Sequence, residues 1–190
     1  MSQAALEQQR YTYGDLLRLE DDTRYELYDG QPVALASPSS AHQLISGELH
    51  RQIANFLVGK KCKIFHAPYD VFLFARKDDD LNDADTLVQP DISVVCDPDK
   101  IDKRGCKGAP DLVIEITSPS TRRNDRLVKF HAYQRAGVRE YWIVDPDARA
   151  VLVHVLENGQ YPAADVYAEG VSVPVSVLGG FAVDTSTLYP

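Results

Sequence analysis

Cysteine is scarce in this chain of 190 residues: Cys62, Cys96 and Cys106 are all there is, at no spacing that suits a metal site. An odd count of that kind reads as reduced thiols in a cytoplasm. Positive charge is also short, with 20 Lys and Arg against 28 Asp and Glu and a net charge of −8. Binding to phosphates through charge alone needs clustered cations, so a general polyanion binder is excluded. Any nucleic acid must instead meet a local basic patch or bound metal ions. No apolar run reaches the length of a membrane span, and the opening MSQAALEQQRYTYGDLLRLE lacks a signal-peptide core. Repeats and low-complexity tracts are absent. So are a G-x-S-x-G elbow, a phosphate-cradling glycine loop and a zinc-type HExxH, which argues against serine hydrolases, P-loop enzymes and zinc proteases.

What remains is an ordinary folded composition, 44% apolar and 25% charged. The length fits one domain over residues 1–190, with residues 1–10 as a flexible lead-in. In YELYDGQPVALAS two short runs flank Asp29-Gly30, which predicts a β-hairpin. Ser39 or Ser40 can cap a helix in which Ile45, Leu49, Ile53 and Phe56 recur at helical steps, closed near Gly59. KIFHAPYDVFLF (63–74), LVQPDISVVCD (87–97) and APDLVIEITS (109–118) read as strands, the last two apolar enough to be covered on both faces. RKDDDLNDAD lies between the first two as an exposed acidic loop. A second helix, capped by Thr121 or Asn124, is predicted to run to about Ala136 and stop at Gly137. EYWIVD is then a strand, and Asn158-Gly159 marks a further hairpin. The order predicts an α/β (α+β) fold with a mixed central sheet flanked by helices and hairpins towards both ends.

Two carboxylates stand out. Asp91 sits at the mouth of the run ISVV, and Glu115 lies inside VIEI, where a carboxylate is costly to bury without a cation or donors. If their strands are neighbours, their oxygens converge, and few hard oxygen ligands describe Mg²⁺ or Mn²⁺ better than zinc. On these two residues alone, a Glu115 that faces solvent or pairs with an arginine is an equal reading. Arg122, Asp125, Lys129 and Tyr133 form one row on the second helix. Lys129 could orient a metal-bound water, or simply pair with Asp125 on an exposed face.

The strings YELYDG, SPSSAHQ, QPDISVV, GAPDLVIEITSPSTRRND and LVKFHAYQRAGVREYWIVDP resemble the Uma-two family of restriction-endonuclease-like proteins, within the PD-(D/E)XK nuclease superfamily. The resemblance runs from about Tyr11 onward and is most specific from Gly108 to Pro146. It implies metal carboxylates at Asp91 and Glu115, with the backbone carbonyl of Ile116 as a further ligand. It also exposes a departure, because the lysine of E-X-K falls on Thr117. The family supplies its lysine from the next helix, which matches Lys129, and a long side chain can reach one point from another backbone origin. Pro110-Asp111 is a decoy for the PD element, four residues before Glu115 on the same strand.

Second-tier residues follow from the same resemblance. Glu26 is expected to add a carboxylate to the metal site or to steer His42, and His42 to touch substrate phosphate; capping or packing is an equal role for each. Glu48, on the first helix, ranks below them. Arg122, Arg123 and Arg126 are phosphate-contact candidates, or a solvated helix start. The expectation is a Mg²⁺- or Mn²⁺-dependent nuclease of the cytoplasm acting on nucleic acid, DNA first, with no membrane partner. A homodimer suits cutting of both strands. The alternative is a catalytically inactive nuclease-like fold that serves as an interaction module.

Overall fold

A computed structural model describes residues 9–20, 23–118 and 125–190, with backbone only at 125 and 126. Its centre is a six-stranded mixed sheet in the order β10-β9-β8-β7-β5-β3. These strands are β3 (Lys63–His66), β5 (Ile92–Val95), β7 (Leu112–Ile116), β8 (Glu140–Asp145), β9 (Ala150–Val155) and β10 (Asp165–Ala168). β7 and β8 run parallel, and every other neighbouring pair is antiparallel. The parallel pair requires a crossover. Residues Asp125–Lys129 supply part of it as a π-helical turn that runs into helix α3 (Phe130–Ala136). Gly137 ends α3 in the left-handed region at φ 85°, which a residue with a Cβ resists.

Unbroken apolar strands occur because both faces of the sheet are covered. On one face helix α2 (Ser40–Leu57) lays Ile45, Leu49, Ile53 and Leu57 over Ile92, Val94, Leu112, Ile114, Trp142 and Val144. Each such side chain contributes roughly 1.5–3 kcal/mol of apolar burial. Leu57 takes the fourth buried position predicted for Phe56, which stacks at the margin on Phe181. On the opposite face Ala132 and Tyr133 of α3 meet Val95, Val113, Tyr141 and Ile143. Even-numbered residues of β7 and β8 therefore face α2 and odd-numbered ones face α3, the period-two rule in a doubly covered sheet.

The terminal hairpins are present. β1 (Tyr25–Tyr28) and β2 (Gln31–Ala34) pair across Asp29 and Gly30, both with positive φ. β11 (Ser172–Pro174) pairs with β12 (Ala182–Asp184). Asn158-Gly159 also turns with positive φ, yet it closes a single bridge, and the strand after it that pairs with β9 is β10. Several elements escaped the sequence. Residues 63–74 divide into β3 and the short β4 (Val71–Phe72), which pairs with β6 (Cys106–Lys107). A one-turn helix α1 (Tyr13–Leu16) stands near the predicted lead-in, held by a capping box between Thr12 and Asp15. The acidic loop is anchored, since Leu81 is buried against Tyr11, Leu27, Phe72 and Leu87.

The cysteine expectation needs correction. Lys63 pairs with Val95, so Cys62 and Cys96 lie opposite each other at the end of the β3–β5 ladder, and they form a disulfide. Cys106 is the free, buried thiol. The argument for a reducing compartment loses its basis. Among the described residues no helix is long and apolar enough to cross a membrane.

Candidate active site

The β5–β7 register sets Ile92 opposite Ile114. Continued by one residue, the same register sets Asp91 opposite Glu115, so their side chains share a sheet face at its open end. Both line a cleft of about 550 Å³, together with Arg24, His42, Gln89, Ile116, Thr117 and Lys129. Ser37, Pro38 and Ser39 lead into α2 along one wall, and His66, Ala67 and Pro68 follow β3 along another.

Asp91 is tied to both neighbours. Its Oδ2 accepts the backbone N–H of Ile116 at 2.7 Å and Nε2–H of His42 at 3.0 Å. His42 reaches it because Ser39 caps α2 by accepting the His42 backbone N–H at 3.2 Å, which fixes the first turn beside the cleft.

Glu115 is only 3% exposed and Lys129 only 5%. Lys129 Nζ donates to Glu115 Oε1 at 2.9 Å and lies 3.1 Å from Glu26 Oε1, so one ammonium serves two carboxylates. Tyr133 O–H donates to Glu115 Oε1 at 2.6 Å, and Tyr28 O–H donates to Glu26 Oε2 at 2.7 Å. Burial pushes both phenols well above their ordinary value, and the adjoining carboxylates push the same way, so both remain donors. A buried ammonium survives only with such compensation.

The structure thus gathers Asp91, Glu115, Ile116, Thr117, Lys129 and His42 on one cleft, with Glu26 behind it. Lys129 meets Glu115 and Glu26, a different setting from an exposed pair with Asp125. Glu26 does not reach His42, whose ring nitrogen goes to Asp91. Thr117 turns its hydroxyl away and donates to the carbonyl of Val144 at 3.3 Å. Glu48 is separated from the set. Its carboxylate takes Arg51 Nη2–H at 2.6 Å, Gln52 Nε2–H at 2.9 Å and the Thr187 hydroxyl at 2.9 Å. Asp111 is the strand-start residue expected, accepting the Cys96 backbone N–H and Arg139. Arg122 and Arg123 lie outside the described residues, as do the side chains of Asp125 and Arg126.

The sequence reading passed over Tyr28, Gln89 and Arg24. Tyr28 carried a signal, because it is two residues from Glu26 on β1 and so shares its face. Gln89 acts through its backbone N–H, donated to Glu26 Oε1 at 2.9 Å, and a backbone role leaves no mark in residue type.

Asp91 and Glu115 offer hard oxygen donors, and Ile116 lines the same cleft. That small set fits Mg²⁺ or Mn²⁺ with water completing the shell. Among the described residues no three His, Cys, Asp or Glu side chains are grouped to hold a metal by themselves.

Comparison with known proteins agrees with this architecture. A crystal structure described as "a putative nuclease belonging to DUF820" from Anabaena variabilis superposes with a TM-score of 0.71 at 23% identity, covering 93% of this chain and 96% of the other. An uncharacterized protein of Synechocystis sp. is 28% identical over 163 residues, 85% of this chain and 82% of the relative. A family model with the description "Putative restriction endonuclease" matches residues 12–186. That span begins at the capping residue of α1 and ends in the turn after β12, and the chain belongs to this family, Uma2.

Proposed function

We propose that this protein is a divalent-metal-dependent nuclease that hydrolyses phosphodiester bonds of nucleic acid, DNA being the expected substrate. The observation that carries the reading is the meeting of Asp91, Glu115 and Lys129 on one cleft from three different elements. Family membership and the name of the Anabaena relative support the same reaction class.

Asp91 and Glu115, with the Ile116 carbonyl, would hold the cation. The chemistry a bound Mg²⁺ or Mn²⁺ would supply there is polarisation of the phosphoryl oxygen and stabilisation of the departing alkoxide. The chain's own part is positioning and charge. The His42 and Ile116 N–H groups fix the Asp91 carboxylate. Tyr133 fixes Glu115. Lys129 lies against two carboxylates, from where it would orient the attacking water and steady negative charge on the phosphate. His42 and Arg24 line the cleft where a phosphate backbone would lie. A homodimer would supply two clefts for the two strands of a duplex.

The test is cleavage of plasmid and single-stranded oligonucleotides with Mg²⁺ or Mn²⁺. Asp91→Ala and Glu115→Ala should each lose at least about 100-fold in rate. Unchanged cleavage in both variants would remove the assignment. One observation favours the second reading, an inactive interaction module: Thr117 stands where E-X-K has lysine, and its hydroxyl is committed to Val144. Calorimetry separates the two, since the module predicts no Mn²⁺ binding at millimolar concentration.

A further inference from the structure

We propose that Glu26 is a positioning residue that acts on the reaction through Lys129 and is not a metal ligand; this rests on the nuclease reading above. Three observations carry it. Glu26 is 0% exposed and is not among the residues lining the cleft, whereas Asp91, Glu115 and Lys129 all line it. Its oxygens are committed, Oε1 to the Gln89 N–H at 2.9 Å and to Lys129 Nζ at 3.1 Å, Oε2 to the Tyr28 O–H at 2.7 Å. Those donors come from three separate segments of the chain, which fixes the carboxylate in one place as a supporting group must be fixed.

The electrostatics give the residue its purpose. Lys129 Nζ lies 2.9 Å from Glu115, the same carboxylate that would carry the cation. A divalent ion on Glu115 competes with the ammonium for that charge and repels it. Without Glu26, Lys129 would share the charge of Glu115 with the metal and would be held less firmly when metal enters. Glu26, on the side away from the cleft, keeps a full counter-charge on the ammonium and holds it at the site's edge. The neutral donors Tyr28 and Gln89 stabilise the charge on Glu26 without introducing a competing cation.

The experiment uses Glu26→Gln, which preserves shape and removes the charge, with Glu115→Ala and Lys129→Met alongside. Plasmid cleavage, Mn²⁺ calorimetry and thermal melts are read on each protein. Glu26→Gln should lower kcat at least about 10-fold with KM within about 2-fold. Its Mn²⁺ affinity should stay within about 3-fold of wild type, while Glu115→Ala should lose binding. In melts, Glu26→Gln should lower the melting temperature of the wild type by about 5 °C and that of Lys129→Met by less than about 2 °C, because the two residues act as a unit. An Mn²⁺ affinity weakened more than about 10-fold would make Glu26 a ligand and overturn the role. Unchanged kcat, or additive melting shifts, would overturn it equally. Should Glu26→Gln not fold, Tyr28→Phe removes only the hydroxyl that braces Glu26. A fall of about 3-fold in kcat at unchanged Mn²⁺ affinity then supports the role, and unchanged kcat ends it. A wild-type protein that neither binds Mn²⁺ nor cleaves removes the nuclease reading and this role together; one that does both while Glu26→Gln behaves as wild type removes the role alone.

Discussion

Glu115 and Glu140 are both buried carboxylates of the central sheet, and what answers each of them separates a site from a structural group. Glu140 lies on the α2 face, where the Trp142 indole N–H donates at 2.7 Å and the Val177 backbone N–H at 2.9 Å. Burial raises its carboxyl above the ordinary value, and those neutral donors only partly offset it. Glu115 lies on the α3 face at the open end of the sheet, answered by an ammonium and a phenol. Burial alone therefore identifies neither. Removing the cation should be costly, because Lys129→Met takes from the buried Glu115 and Glu26 the ammonium they share. The expected loss is about 3–5 kcal/mol, read from urea denaturation. A variant as stable as wild type would mean that the two carboxylates find other partners.

At the scale of elements, Glu48 belongs to the docking of α2. Its bond to Thr187, with Gln52 bridging to the Asp184 backbone in both directions, ties the helix to the turn after β12. The Arg51 guanidinium, through its hydrogen bonds, is the main cause that brings the Glu48 carboxyl down from 4.5 to about 2. A carboxyl that binds its proton more weakly when folded stabilises the fold above its unfolded value. Its contribution is present above pH 4.5 and fades as the pH falls towards 2. Thermal melts of Glu48→Gln against wild type should show the full gap at pH 6 and almost none at pH 2. The β3–β5 ladder gives a second outcome. Alkylation of the unfolded, unreduced protein should label Cys106 alone, and prior reduction should expose all three thiols. In the folded protein Cys106 should resist labelling, since burial holds its thiol up at about 12.

For the whole molecule, the net charge of −8 opposes the approach of a polyanion. Among the described residues Arg24 and Lys129 are the Arg and Lys side chains that line the cleft, so duplex binding should depend on a divalent ion more than on release of monovalent counter-ions. Binding of a short duplex in Ca²⁺ should therefore weaken by less than about 50-fold between 50 and 200 mM salt. A protein making 6–10 phosphate contacts through its own cations would lose about 10³–10⁵ over that range. A loss of that size would point to an extended basic track and would shift the argument from metal to arginine.

The helix α2, the hairpin at Asp29-Gly30 and the apolar strands β5, β7 and β8 were legible from the chain, because periodicity and turn chemistry are set by near neighbours. The types of the central residues, Asp91, Glu115 and Lys129, were legible too, through motif spacing and family resemblance. Which groups meet was not. That Glu26 faces Lys129 rather than His42, that Cys62 opposes Cys96, and that Glu48 leaves the site for Thr187 all depend on strand register and helix placement. Those are fixed by packing between distant segments, so a local pattern names the side chains while only the folded core decides their partners.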